Sequence, residues 1–264
     1  MGAKIKVGTC GYGRYQPPRD WKKNFKSRLH AYSDIFEVVE INKTFYKLPM
    51  VETLKRWWEE VSPDFEFTLK AWQALTHQTS SPTWRGKKTG LTPIQMKNFG
   101  MLRPNKEVIE SWNETKDRGE ALQANICVLQ TPRSFRCSLE NEKNMRQLLS
   151  KINRGRLNLA WEPRGDWNEN PDTIKKICDD LNLIHIVDLM RRNPLSSHPI
   201  AYIRLHGLNP GEYDYNYDYS RDELLELAGK LKVLVQEKET IYCFFNNYAM
   251  FKNAQQLKKL LKKN

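Results

Sequence analysis

A single (β/α)8 TIM barrel with one long basic loop after its third strand is the fold class the sequence predicts. Three observations carry it. Eight short apolar runs alternate with amphipathic helical stretches along the chain, the pattern of parallel β/α units. The chain has 264 residues, close to the ~250 typical of one such barrel. No Pro/Gly/Ser linker or short internal repeat divides it, so residues 1–264 read as one domain. An open doubly wound sheet is the alternative arrangement of the same units.

Strand one is read at 4–9 (KIKVGT), running into the glycine-rich turn 8–13 (GTCGYG). The glycines of that turn are not in the order of the dinucleotide fingerprint, so it offers at most backbone N–H groups to an anion. Strand two is read at 37–41 (EVVEI), and 51–61 (VETLKRWWEEV) has helical spacing. Strand three, 66–71 (EFTLKA), precedes 76–104, the longest stretch without a core pattern; a lid, a binding loop or a locally disordered segment is expected there. Helix 106–122 leads to strand four at 124–130 (ANICVLQ), and helix 142–152 to strand five at 157–162 (LNLAWE). Helix 171–181 leads to strand six at 183–188 (LIHIVD), followed by strand seven at 200–206 (IAYIRLH). Helix 221–235 leads to strand eight at 240–245 (TIYCFF). Helix 253–261 closes the barrel, with a basic face along 257–264 (LKKLLKKN).

The charge speaks to partners rather than to fold. Lys and Arg number 43 against 31 Asp and Glu, a net +12. Residues 1–28 hold eight basic side chains against the single acid Asp20, and residues 76–106 hold six and no acid. A solvated surface intersperses its signs, so acid-poor clusters point to a polyanion, usually nucleic acid. Both clusters follow strand ends and would surround the C-terminal face, where barrel enzymes place their chemistry. Aromatics are interleaved with them, and 213–219 (YDYNYDY) alternates four tyrosines with polar residues. Arg14, Tyr15, Lys22, Trp84, Arg85, Lys87, Lys88, Tyr213 and Tyr215 are therefore the expected nucleic-acid grip, with rings packed on neighbouring helices as the plainer alternative.

Five cysteines without a C-x-x-C pair exclude a zinc ribbon or a disulfide framework and fit a reducing compartment. No run approaches the ~18 apolar residues of a membrane helix, and the start lacks a secretory apolar region. A cytoplasmic protein with no membrane partner is expected.

The predicted strand tips carry an unusual set of polar groups. Strand two ends in Glu40 and Asn42, strand three carries Lys70, and strand four ends at Gln130. Strand five ends in Glu162 and Arg164, strand six at Asp188, strand seven in Arg204 and His206, and Asn246 and Asn247 follow strand eight. Core strands need no charged tips, whereas a barrel gathers such residues into one pocket. Glu40, Asn42, Lys70, Glu162, Arg164, Asp188, Arg204, His206 and Asn247 are the expected catalytic set. Cys10 is read as a small buried filler, His185 as core and His30 as surface.

The phrases GTCGY (8–12), EINKTFY (40–46), LQTPRSF (129–135), WEPRGDW (161–167), YIRLHG (202–207) and FFNN (244–247) resemble, in that order, the YecE-like proteins of domain-of-unknown-function family 72. The resemblance spans nearly the whole chain. It implies a TIM barrel and no established reaction. Family members often have Ser where Cys10 stands, Phe where Trp161 stands, and an aromatic–proline run where Thr131 and Pro132 stand.

Two carboxylates and an imidazole on consecutive strands, Glu162, Asp188 and His206, are a candidate site for Mn²⁺, Mg²⁺ or Zn²⁺. That placement looks like the metal-dependent barrels of the xylose-isomerase-like superfamily, sugar epimerases and apurinic endonucleases among them. Arg164, Arg204 and Lys70 beside the same carboxylates allow a metal-free anion pocket instead. The leading expectation is a nucleic-acid-binding phosphodiester hydrolase. The alternatives are an enzyme on a small anionic or sugar-like substrate and a non-catalytic nucleic-acid-binding module.

Overall fold

Residues two apart on a strand share a face, and in this chain the even-numbered strand positions turn inward. Val38, Ile126, Val128, Ala160, Ile184, Ile186 and Tyr202 form one buried cluster inside the barrel. Their odd-numbered neighbours, among them Val39, Phe67, Cys127, Leu159 and Ile203, join the larger core. In the computed structural model, which describes residues 3–262, eight parallel strands close in chain order. They are β1 (Lys4–Thr9), β2 (Val38–Ile41), β3 (Glu66–Lys70), β4 (Ile126–Gln130), β5 (Asn158–Glu162), β6 (Leu183–Val187), β7 (Ile200–Leu205) and β8 (Thr240–Phe245). The doubly wound alternative is excluded.

Ten α-helices accompany the strands among the described residues: α1 (Arg28–Ser33), α2 (Lys43–Tyr46), α3 (Val51–Glu59), α4 (Gln73–Thr76), α5 (Pro93–Asn98), α6 (Lys106–Ala121), α7 (Leu139–Lys151), α8 (Pro171–Asp180), α9 (Arg221–Leu234) and α10 (Met250–Lys262). The expected strands agree within two residues at each end. Helix α7 begins three residues earlier than its periodicity suggests, because the Ser138 hydroxyl caps it by accepting from the Asn141 N–H. Residues 188–199 join β6 to β7 with no α-helix between them. The end of the expected basic face, Lys263 and Asn264, lies outside the described residues. No helix among the described residues is long and apolar enough to cross a membrane.

The segment 76–104 is ordered, which excludes local disorder among its expected forms. It is a packed unit rather than an unsupported loop: Trp84 stacks on Phe99 with ring centroids 5.8 Å apart, and Trp72 meets both rings. Helix α5 carries a full capping box between Thr92 and Gln95.

The β1–β2 seam is the looser join of the barrel, with a single registered pair, Thr9 and Val39. Tyr32 repairs it from α1: its hydroxyl accepts from the Thr9 N–H at 3.0 Å and donates to the Val38 carbonyl at 3.0 Å. This seam opens at the barrel mouth beside Cys10 and Asn42.

Candidate active site

The inward alternation delivers Glu40, Lys70, Gln130, Glu162 and Arg204 from five strands to one buried layer at the C-terminal end of the barrel. Arg204 lies at its centre, 1% exposed. Its Nη2 donates to Glu40 Oε1 at 2.9 Å, and its Nη1 donates to Glu162 Oε2 and to Gln130 Oε1. Glu40 also accepts from the Tyr202 hydroxyl at 2.8 Å. Arg164, just past β5, clamps Glu162 Oε1 through Nε at 2.8 Å and Nη2 at 2.7 Å.

Gln130 Oε1 is the hub. It accepts from Lys70 Nζ at 2.9 Å, from Arg164 Nη2 at 2.9 Å and from Arg204 Nη1 at 3.3 Å. An amide oxygen has two lone pairs, so three cationic donors oversubscribe it. Arg204 Nε has no acceptor. Three cations face only two carboxylates here, and donors outnumber acceptors.

The electrostatics follow. Burial opposes the Glu162 charge, yet Arg204 and then Arg164 hold its carboxyl below the ordinary carboxylate range. Burial, reinforced by Arg204 and Arg164, brings Lys70 down to about 7. Lys70 Nζ also lies 3.8 Å from the Phe45 ring centroid. Burial lowers His206 to about 3, against the pull of Glu162, so its imidazole is neutral at physiological pH. Neither ring nitrogen of His206 has a hydrogen-bond partner, and the ring packs against Tyr213 and Tyr215. Burial raises the Cys10 thiol well above its ordinary range, as a filler requires and a nucleophile does not.

A cavity of about 390 Å³ opens onto this layer, lined by Cys10, Arg14, Asn42, Lys70, Gln130 and Arg204, with Tyr46, Tyr215 and Asn247 at its walls. Of the expected catalytic residues, Glu40, Lys70, Glu162, Arg164 and Arg204 form one bonded network. Asn42 and Asn247 reach the cavity wall, but each spends its amide N–H groups on structure. Asn42 donates to the Cys10 carbonyl, and Asn247 donates to the Tyr217 carbonyl and to Asn253.

The expected metal triad is not assembled. Asp188 accepts from the backbone N–H groups of His206 and Met190 at 3.1 and 3.0 Å, a structural use of both oxygens. Burial raises its carboxyl to about 6. Glu162 is taken by two arginines, and among the described residues no three His, Cys, Asp or Glu side chains group as metal ligands. The residues present do not fit a divalent ion.

The nucleic-acid grip is also corrected in part. Tyr15 is buried, ring against ring with Tyr32 and Phe251. Trp84 is buried, its Nε1–H donating to the His77 carbonyl. Tyr213 and Tyr215 are half-buried over His206, and the Arg164 guanidinium lies 3.8 Å from the Tyr213 ring centroid. Arg14, Lys22, Arg85, Lys87 and Lys88 are exposed as expected, but of these only Arg14 lines the central cavity. His185 is core and His30 is half-buried.

Gln130, Tyr202 and Tyr46 belong to the site and were missing from the expected set. The signal for the first two was alternation: Tyr202, Arg204 and His206 sit two apart, as do Val128 and Gln130.

Comparison with known proteins agrees with this architecture. A family model described as "Protein of unknown function DUF72" matches residues 6–264. The UPF0759 protein YunF of Bacillus subtilis (strain 168) is 23% identical over 271 residues, 92% of this chain and 88% of that one. The crystal structure of a DUF72 family protein from Thermotoga maritima MSB8 is 24% identical, covers 98% of this chain and 99% of its own, and superposes with a TM-score of 0.72. D-psicose 3-epimerase from Clostridium cellulolyticum H10 is 9% identical, with 98% of each chain covered and a TM-score of 0.56, a likeness of fold alone.

Proposed function

The chain belongs to the DUF72 family, and we propose that its barrel mouth is an enzyme site for a small ligand bearing a phosphate or carboxylate group. The observation that carries this reading is the oversubscribed oxygen of Gln130. Lys70, Arg164 and Arg204 converge on it, and Glu40 and Glu162 are the carboxylates that answer them. With Lys70 protonated the layer holds one cation in excess, and an anion completes it. With Lys70 neutral the charges balance. Because Lys70 titrates near neutrality, it is the acid–base group of the site. An anion placed on it raises its affinity for a proton. The neutral His206 imidazole, its ring nitrogens unpartnered, packs next to this layer and adds no charge to it at neutral pH.

A second reading, hydrolysis of a phosphodiester in nucleic acid, is favoured by one observation. Tyr46 lines both the central cavity and a neighbouring groove of about 740 Å³ that carries Lys47 and Lys87. Glu107, Glu110 and Glu114 line the same groove, however, and their charge repels a phosphate backbone.

Calorimetric titration with inorganic phosphate, sulfate and citrate tests the first reading. Binding to the wild type that falls about tenfold or more in Lys70→Met supports it. No heat with any of the three anions contradicts it.

A further inference from the structure

Beside the anion cavity lies a second, smaller one of about 210 Å³, formed at the β1–β2 seam and lined by Tyr12, Gly13, Ile41, Asn42, Lys43 and Trp57. At ~30 Å³ per water it has room for about seven waters, the size of one flat ring system. Its walls are apolar and aromatic. The Tyr12 and Trp57 rings meet edge to face, centroids 5.9 Å apart at 89°, so a planar guest stacks on one and meets the edge of the other.

Asn42 supplies the polar contact. Its Nδ2 donates to the Cys10 carbonyl at 3.1 Å, and because a carbonyl only accepts, the orientation of the amide is set. Its Oδ1 is then buried with no donor. A ring carrying an N–H group satisfies it.

Gly11, Gly13 and Asn42 line both cavities, so the two share a wall. A Cβ on Gly13 would meet nothing within 4 Å, and its φ lies outside the left-handed region. Neither packing nor backbone conformation therefore calls for glycine there. Its bare backbone stands on the wall that the two cavities share.

We propose that the ligand of the barrel mouth is a nucleotide, its phosphate against Lys70, Arg204 and Arg14 and its base packed against Tyr12 and Trp57 with an N–H directed at Asn42. This rests on the anion reading and adds the class of the ligand to it. The side pocket has room for one base and not for a stacked run, so a mononucleotide or one nucleotide turned out of a strand is the unit recognised.

The test is calorimetry with four probes: inorganic phosphate, ribose 5-phosphate, adenosine 5′-monophosphate and purine riboside 5′-monophosphate, which lacks the exocyclic amino group. Adenosine monophosphate is expected to bind at least about tenfold more tightly than ribose 5-phosphate, the worth of one buried aromatic stack. It should also exceed purine riboside monophosphate by several-fold, the worth of one donor to Asn42. In Gly13→Val, which puts a branched side chain on the wall shared by the two cavities, the preference for the nucleotide over ribose 5-phosphate should collapse to within about twofold. Trp57→Leu, which keeps an apolar side chain, should do the same. Equal affinity of the nucleotide and ribose 5-phosphate in the wild type overturns the base pocket while leaving the anion site standing. So does a preference that survives Gly13→Val. Failure of all four probes to bind overturns the anion site itself.

Discussion

Lys70 Nζ and Gln130 Oε1 stand 2.9 Å apart across the β3–β4 seam, and Arg164 and Arg204 donate to the same oxygen. One neutral amide therefore ties together the three cations that two buried carboxylates only partly balance. The properties expected of this protein follow from that imbalance.

Arg204 holds Glu40 and Glu162 apart and neutralised. Arg204→Leu takes the cation from buried Glu40 and leaves Glu162 to Arg164 alone, and should destabilise the protein by about 3–5 kcal/mol at pH 7. The pH dependence should flatten. In the wild type the folded Glu162 carboxyl is depressed, so its stabilisation is present above the ordinary carboxylate range and is lost as pH falls below it. In the variant Glu162 keeps only Arg164, so its carboxyl is less depressed and less stability is lost as pH falls through the carboxylate range. Chemical denaturation at pH 7 and at pH 3 compares the two losses.

Much of this site is legible in the sequence because barrels place function at strand ends. Glu40, Glu162 and Arg204 are inward-facing tips that follow Val38, Ala160 and Tyr202 of the inner cluster at two positions' distance, and Lys70 stands at the same tip position of β3 behind Thr68. Asp188 shows the limit. It too follows an apolar strand, but its oxygens go to backbone N–H groups at a join that lacks a helix, which strand spacing does not encode. Trp84 and Tyr15 show another. Each has basic neighbours in sequence, yet its partners, Phe99 for one and Tyr32 and Phe251 for the other, lie at separations with no period.

The 76–104 segment should behave as folded structure. Trp84→Ala removes a buried ring stacked on Phe99 and should cost about 3–5 kcal/mol. Arg85→Ala, one residue on and exposed, should lie within about 0.5 kcal/mol of the wild type. Equal and negligible effects would return the segment to the status of an unsupported loop.

Lys70 burdens the fold that holds it. Its folded pKa of about 7 lies below the ~10.4 of an unfolded lysine, so between these values the unfolded chain binds the extra proton and stability rises with pH. Lys70→Met should be more stable than the wild type at pH 7 by about 1–3 kcal/mol, the two converging toward pH 10. Thermal melts across pH 6–10 would show a crossing or a constant gap if Lys70 titrated normally.

Salt separates a small ligand from a polymer. Each phosphate of a single strand that the protein neutralises adds about −0.7 to the log–log slope of affinity against salt. With one anion site, a labelled oligonucleotide should show a slope no steeper than about −1, whereas a strand gripped along Arg85, Lys87 and Lys88 as well would reach about −3. Fluorescence anisotropy between 50 and 300 mM salt distinguishes them.

The central claim concerns one proton, and it can be observed. Selective labelling of the lysine side chains allows the Lys70 resonance, assigned by its absence in Lys70→Met, to be followed against pH by NMR. The free protein should show a midpoint near 7, and saturating inorganic phosphate should move it upward by at least about one unit. A midpoint near 10 in the free protein, or one near 7 that phosphate leaves in place, would contradict an anion site built on Lys70.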